Sequence, residues 1–358
     1  MALTMTGGDT QRQAGDVDTV LRADDLAKTF RLGFLRRRVD AVRGVSFSVR
    51  RGEIFGFLGP NGAGKTTTLK MLMGLIFPSR GRAEILGLPV PSRDAKRRLG
   101  YLPETPYFYE YMAPEEFLDF AGALSDVPGP ERRRRAARLL ARVGLEHARG
   151  RPLRKFSKGM LQRIGIAQAL MGDPELVILD EPMTGLDPVG RKEIRDLMLE
   201  LRQQGKTVFF STHILPDVES TCDRVAIVVG GRLRSVGPLA ALLSARLLAT
   251  EVVIRPAPVA GAGGGSSAAD RLPALPDGAR WLFRGRTGEG DSGAGGGAGD
   301  VALELPPQAD VDEFLRAVLG QRASVVSVTP RRESLEDLFV REASAREAGA
   351  RENGAQAS

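Results

Sequence analysis

Two short stretches of this 358-residue chain carry residue types suited to phosphate chemistry. Gly59 to Thr66 reads GPNGAGKT, the spacing G-x-x-x-x-G-K-[ST]. Glycines in that pattern let backbone N–H groups curl inward around phosphate oxygens, and a helix that follows adds the positive end of its dipole. Lys65 is then placed to reach the β- and γ-phosphates, and the Thr66 hydroxyl to hold Mg2+. The second stretch, LVILDEP, ends in two adjacent carboxylates. Asp180 is placed to bind Mg2+ through water, and Glu181 to accept a proton from an attacking water. Together they read as the two halves of a nucleoside triphosphate site.

Side chains with such duties need rigid elements behind them. An apolar stretch, EIFGFL, precedes the glycine loop as a strand, and TTLKMLMGL follows it as a helix. Leu176 to Asp180 is continuously apolar up to the aspartate, as expected of a strand buried on both faces of a parallel sheet. Thr207 to Thr212 is a second such strand, and Ile194, Leu197, Met198 and Leu201 mark one face of a helix between them. RVAIVVGGRLRSVG predicts a hairpin around Gly230-Gly231. These elements predict one α/β domain over 23–243, after a polar, disordered tail over 1–22. A small α+β domain is expected over 250–345, from EVVIRP, RWLFRG, VALELP, a helix near Asp310 to Leu319, SVVSVTP and a last helix from SLEDLF. Glycine-rich loops over 256–278 and 285–300 interrupt it, and a disordered tail over 346–358 follows.

The bulk composition narrows the class. Hydrophobic residues at 42% and charged residues at 27% fit an ordinary globular protein. One cysteine, Cys222, excludes an internal disulfide and suits a reducing compartment. The N-terminus lacks the pattern of a signal peptide, and no apolar stretch approaches the roughly 20 residues that cross a bilayer. The net charge of +7 comes from arginine. Its longest run, Arg132 to Arg135, sits beside Ala136, Leu139, Leu140 and Val143 at helical spacing, so it reads as a solvated helix face. Aromatic residues of the kind single-strand binders interleave are missing from it, and nucleic acid is not an expected partner.

From about Leu26 to Leu239 the sequence resembles an ATP-binding cassette (ABC) ATPase. In that resemblance GPNGAGKTT (Gly59, Pro60, Asn61, Gly62, Ala63, Gly64, Lys65, Thr66 and Thr67) is the Walker A motif, LVILDEP is Walker B, TGLDP carries the D-loop Asp187, and STH supplies a switch histidine, His213, expected at the γ-phosphate. The implied fold is that of an α/β P-loop NTPase: a mostly parallel sheet core, an antiparallel β subdomain and an α-helical subdomain. FSKGMLQR, Phe156 to Arg163, stands where the family's LSGGQ signature belongs. Two cassettes of this family pair head to tail, each signature capping the ATP held by the other's Walker A loop. Ser157 keeps the required hydroxyl, Gly159 the unobstructed backbone, and Lys158 adds a cation for the γ-phosphate, so a working variant is expected. Glu104, in YLPET, replaces the family's Q-loop glutamine and is expected to keep a Mg2+-binding role. Phe30 falls where the family stacks an aromatic ring on adenine.

The resemblance implies a role. Chromosome-handling relatives insert a long coiled coil between Walker A and signature, but Lys65 and Ser157 stand only 92 positions apart. Translation-type relatives carry two cassettes, and this chain has one. A regulatory ATP holder would be expected to lose Glu181 or His213. What remains is the ATP-hydrolysing motor of a membrane transporter, with a soluble cassette acting on ribosomes or nucleic acid as the alternative. YLPE, FSKGM and SLEDLF (Ser334 to Phe339) are together similar to the ATP-binding subunits of type-2 exporters. The partners so implied are ATP, a second copy of the chain and a separate integral-membrane permease, which the segment around Tyr107 to Tyr111 would touch on the cytoplasmic face of the membrane.

Overall fold

The computed structural model describes residues 18–33, 37–243, 247–256, 272–283 and 300–337. The expected tail over 346–358, most of both glycine-rich loops, residues 338–339 of SLEDLF and residues 1–17 of the N-terminal tail lie outside the described residues, whereas Thr19 to Arg22, expected in that tail, belong to a strand with Val20 and Leu21 buried. The described residues divide into two compact units, one up to Leu239 and the other from Ala240 onward.

The first unit opens with two long strands, β1 (Thr19–Leu32) and β2 (Arg37–Arg50), then β3 (Ile54–Leu58) and α1 (Lys65–Leu72). Next come β4 (Arg80–Ile85), β5 (Leu88–Pro89), α2 (Arg93–Arg97) and β6 (Leu99–Leu102). Three helices follow, α3 (Pro114–Leu124), α4 (Gly129–Arg142) and α5 (Lys158–Leu170). The unit closes with β7 (Leu176–Asp180), α6 (Pro188–Gln203), β8 (Thr207–Thr212), α7 (Leu215–Glu219), β9 (Arg224–Val229) and β10 (Arg232–Pro238), and α8 (Leu239–Leu243) leads out of it. Among the described residues β2-β1-β4-β5 form one antiparallel sheet, and β10-β9-β3-β8-β7-β6 form a second that is parallel except for the β9–β10 hairpin.

Burial explains why the parallel strands read as continuous apolar runs. Every residue of β3, β7 and β8 is buried, because both faces of that sheet are covered. On one face Phe47 of β2 stacks on Phe55 of β3 and Phe209 of β8, with ring centroids 5.6 and 5.9 Å away, which joins the two sheets. On the other, Phe117, Leu118, Leu139, Leu140, Ile164, Ile194, Leu197, Met198 and Leu201 from α3 to α6 form the second core. The hairpin turn is built by Gly230 (φ 58°) and Gly231 (φ 78°), the left-handed pair that a two-residue connection requires.

The arginine run divides instead of forming one solvated face. Arg133 and Arg134 are exposed, while Arg132 and Arg135 are half-buried. Arg132 pairs with Asp119 of α3 at 3.0 Å, and Arg135 donates to the Met171 carbonyl at 2.8 Å. Helical geometry turns residues three apart toward the same side, and here that side is α3 and the end of α5.

In the second unit β11 (Leu247–Arg255), β12 (Arg280–Phe283), β13 (Val301–Leu305) and β14 (Ser324–Arg332) form an antiparallel sheet in the order β12-β13-β11-β14. Helix α9 (Val311–Gly320) is capped by Asp310, whose carboxylate accepts from the Glu313 N–H. Phe314 and Val318 of α9 pack on Val252, Ile254, Val301, Leu303 and Leu305. Among the described residues no helix is long and apolar enough to cross a membrane.

Candidate active site

Strand order decides which loops meet. β3 lies between β9 and β8, and β8 lies beside β7, so the C-terminal ends of β3, β7 and β8 open on one crevice. The glycine loop leaves β3, Asp180 ends β7 with Glu181 just after it, and His213 follows β8.

The loop is tied down on all sides. Gly59 N–H donates to the Thr212 carbonyl at 3.2 Å, Ala63 N–H to the Pro60 carbonyl at 3.1 Å, and Gly231 N–H to the Ala63 carbonyl at 3.0 Å. A Cβ on Gly59 would stand 2.4 Å from the Val228 carbonyl oxygen, and one on Gly64 2.5 Å from that of Ala41. Gly64 also has φ 99° as it starts α1. Asn61 and Gly62 form the exposed tip, and Thr66 and Thr67 are half-buried on the first turn of α1.

Lys65 turns back under this loop and is only 6% exposed. Its Nζ donates to the carbonyls of Gly59 (2.7 Å) and Pro60 (3.3 Å) and pairs with Glu181 Oε1 at 3.1 Å. The other carboxylate oxygen of Glu181 accepts from the Thr184 hydroxyl at 2.9 Å and faces His213 Nδ1 at 2.9 Å. Against an ionised carboxylate, that nitrogen carries the proton. Glu181 itself has φ 51°, a left-handed conformation that costs a non-glycine residue about 1–2 kcal/mol. Its N–H is held there by two acceptors of one residue, the Ser211 carbonyl (3.2 Å) and the Ser211 hydroxyl (3.0 Å).

Asp180 is fully buried beside it. Its Oδ1 accepts from the Ser211 hydroxyl at 2.5 Å, whereas its buried Oδ2 has no hydrogen-bond partner among the described residues. Burial pushes this carboxyl up; the Ser211 hydrogen bond and the Thr66 hydroxyl oppose that, and the charges of Glu104 and Glu181 add to it. Thr66 donates to Glu104 Oε2 at 3.4 Å, which sets a second carboxylate on the same side. Burial, then Asp180 and Glu104, push the Tyr101 phenol up to about 12. An orphaned buried anionic oxygen, a nearby hydroxyl and a second carboxylate fit a hard divalent cation.

The remaining expected residues lie elsewhere in the fold. Ser157 caps α5, its hydroxyl accepting from the Met160 N–H at 3.3 Å. Lys158 is exposed and lies across Gly185, and a Cβ on Gly159 would meet only Leu186 Cδ2, at 3.4 Å. Asp187 caps α6, accepting from the Gly190 N–H at 2.8 Å. Phe30 is half-buried on β1, outside both cores, with Lys28 Nζ 5.3 Å from its ring centroid. Ser211 and Thr184 were not singled out in the sequence. The signal for both was position, Ser211 as the first residue of STH and Thr184 three residues after Glu181.

Comparison with known proteins gives this geometry a setting. The sequence profile of the ABC transporter family matches residues 42–184. An ABC transporter ATP-binding protein of unassigned cargo from Synechocystis is 43% identical over 326 residues, 90% of this chain and 84% of the relative. The fluoroquinolones export ATP-binding protein of Mycobacterium tuberculosis is 42% identical over 201 residues, 54% of this chain and 64% of that one. Among solved structures, an ATP binding subunit of an ABC transporter superposes with a TM-score of 0.56 at 35% identity, covering 63% of this chain and 92% of that one.

Proposed function

The chain belongs to the ABC transporter family of ATP-binding proteins, and from that premise we propose that it works as a motor paired with a second copy of itself and with an integral-membrane permease. Its activity is ATP hydrolysis coupled to transport. One observation carries the mechanistic reading: Lys65, His213 and Thr184 all converge on the single buried carboxylate of Glu181.

The cradle of Gly59, Pro60, Asn61, Gly62, Ala63 and Gly64, with Thr66 and Thr67 at the start of α1, receives the phosphates of ATP, and Phe30 stacks on the adenine. Lys65 transfers from Glu181 to the β- and γ-phosphates, since both anions compete for one ammonium. That exchange leaves Glu181 Oε1 free to accept a proton from the attacking water, while His213 and Thr184 keep the carboxylate oriented from Oε2. Thr66, Asp180 and Glu104 would hold Mg2+, which when bound neutralises charge on the phosphate oxygens. The orphaned Oδ2 of Asp180 supports this assignment.

The capped N-terminus of α5, with Ser157, Lys158 and Gly159, faces the γ-phosphate of the ATP on the other copy, and Asp187 lies at the same interface. The room beside Gly159 supports a role outside its own chain, because internal packing does not require glycine there. Tyr107 and Tyr111, 89% and 79% exposed, form the surface offered to the permease, near Glu104 in the chain. Closure of the pair then biases the permease, and hydrolysis resets it. The export direction is supported by the relative named for fluoroquinolone export. The protein so described sits on the cytoplasmic face of the membrane, held by its permease.

Affinity purification of tagged Glu181→Gln protein from detergent-solubilised native membranes, with ATP and Mg2+ present, tests the partner. A multi-helix membrane protein retained in stoichiometric amount is the expected result. Ribosomes or nucleic acid retained without a membrane protein would overturn the transporter reading and leave only the ATPase.

A further inference from the structure

We propose that Ser211 is a positioning residue for both acids of the site, aiming Asp180 at the cation and Glu181 at the attacking water. The proposal rests on the reading of that site given above and adds a residue to it.

The inventory of one hydroxyl carries the argument. A serine hydroxyl has a single proton to donate and lone pairs to accept with. An ionised carboxylate only accepts and a backbone N–H only donates, so the roles around Ser211 have one assignment. Its proton goes to Asp180 Oδ1 at 2.5 Å, and its lone pair receives the Glu181 N–H at 3.0 Å. Ser211 is fully buried on β8 and stands directly opposite Asp180 in the parallel register with β7, so water cannot replace either bond without opening the sheet.

Each bond has a separate consequence. With Oδ1 committed to Ser211, Asp180 has one oxygen left, and that oxygen is the buried one without a partner. Remove the hydroxyl and the carboxylate is free to rotate, so the oxygen offered to a cation is no longer fixed. Glu181 sits in a left-handed conformation that only outside bonds maintain. Losing one of its two acceptors lets the backbone relax and carries the side chain away from Lys65 and His213. The Ser211 backbone also accepts from Glu181, so the alanine variant weakens this hold without abolishing it.

The test compares wild type with Ser211→Ala, Ser211→Thr and Ser211→Cys. Mn2+ uptake by the ATP-loaded protein is followed by electron paramagnetic resonance, ATP affinity is measured in EDTA, and kcat and KM are measured with Mg2+. For Ser211→Ala, ATP affinity in EDTA should stay within about twofold, while Mn2+ affinity and kcat each fall about 10- to 100-fold, the range for a partner that orients a metal ligand. KM should move much less than kcat. Ser211→Thr, which keeps the hydroxyl, should recover most of both. A folded Ser211→Ala protein with wild-type Mn2+ affinity and kcat overturns the proposal. If the alanine variant does not fold, Ser211→Cys decides: an intermediate Mn2+ affinity supports the role, and a wild-type value refutes it. Wild-type protein that takes up no Mn2+ with ATP would sink the site itself, and this inference with it.

Discussion

The two sheets that carry helices teach different lessons. In the first unit β3, β7 and β8 are buried along their whole length, and their C-terminal ends and the segments that follow bring together Lys65, Asp180, Glu181 and His213. In the second, among the described residues, β13 alternates buried and half-buried residues and β14 is almost wholly exposed, the pattern of a sheet covered on one face. A doubly covered parallel sheet concentrates rigid loop ends at one edge, where chemistry can be held to a fraction of an ångström. A one-sided antiparallel sheet leaves a face open to solvent.

The sharpest way to strain this contrast is at Glu181. Glu181→Gln should lower ATP hydrolysis by about 100-fold or more while leaving ATP binding intact, as measured by phosphate release and by equilibrium binding. The same protein should dimerise with ATP in size-exclusion chromatography, and adding Ser157→Arg should abolish the dimer. Persistent ATP-dependent dimers in the double variant would remove the signature from the interface.

A matched pair of core deletions comes next. Phe209→Ala, in the stack between the two sheets of the first unit, and Phe314→Ala, in the core of the second, should each cost about 3–5 kcal/mol. Calorimetry should resolve the two losses, and only Phe209→Ala should take hydrolysis down with it. Loss of hydrolysis in Phe314→Ala would show the units to be coupled and break the contrast.

The smallest effect lies at the opposite end of β7 from the acids. The Arg98 hydrogen bond, with Arg51 adding to it, holds the Glu175 carboxyl at about 2, well below its ordinary 4.5. A depressed carboxyl contributes stability in full above the unfolded value and loses it as pH falls through the folded one. Glu175→Gln should therefore lower the melting temperature slightly at pH 7, and the difference should vanish between about pH 4.5 and 2. Both partners are partly exposed and screened, so the effect should stay below about 1 kcal/mol. A gap that persists at pH 2 would assign it to something other than the ion pairs.

What the sequence made legible follows the range of the forces involved. β3, β7 and β8 are local statements, since a run of apolar residues carries its own burial pattern, and the P-loop NTPase core could be read from them. The glycine loop and the acid pair are equally compact in sequence. The role of Ser211 was hidden because its two bonds reach residues 30 and 31 positions away, and a serine has many ordinary uses. The split arginine run was misjudged for a similar reason: helical spacing says which residues share a side, but the pairing of Arg132 with Asp119 depends on how α3 packs.

The crowding around Gly59 and Gly64 has a consequence for descent. Neither glycine answers only to a phosphate. One is demanded by the backbone at the end of β9 and the other by the backbone of β2, whatever the loop is used for. A lineage that gave up ATP hydrolysis would still be penalised for replacing them, so the spelling of the loop would outlive its chemistry. Glu181 sits in a conformation glycine would take more comfortably, and selection for catalysis is the force that would keep it. In a distant descendant, the acid would fall silent first, and the glycines would go on advertising an activity already lost.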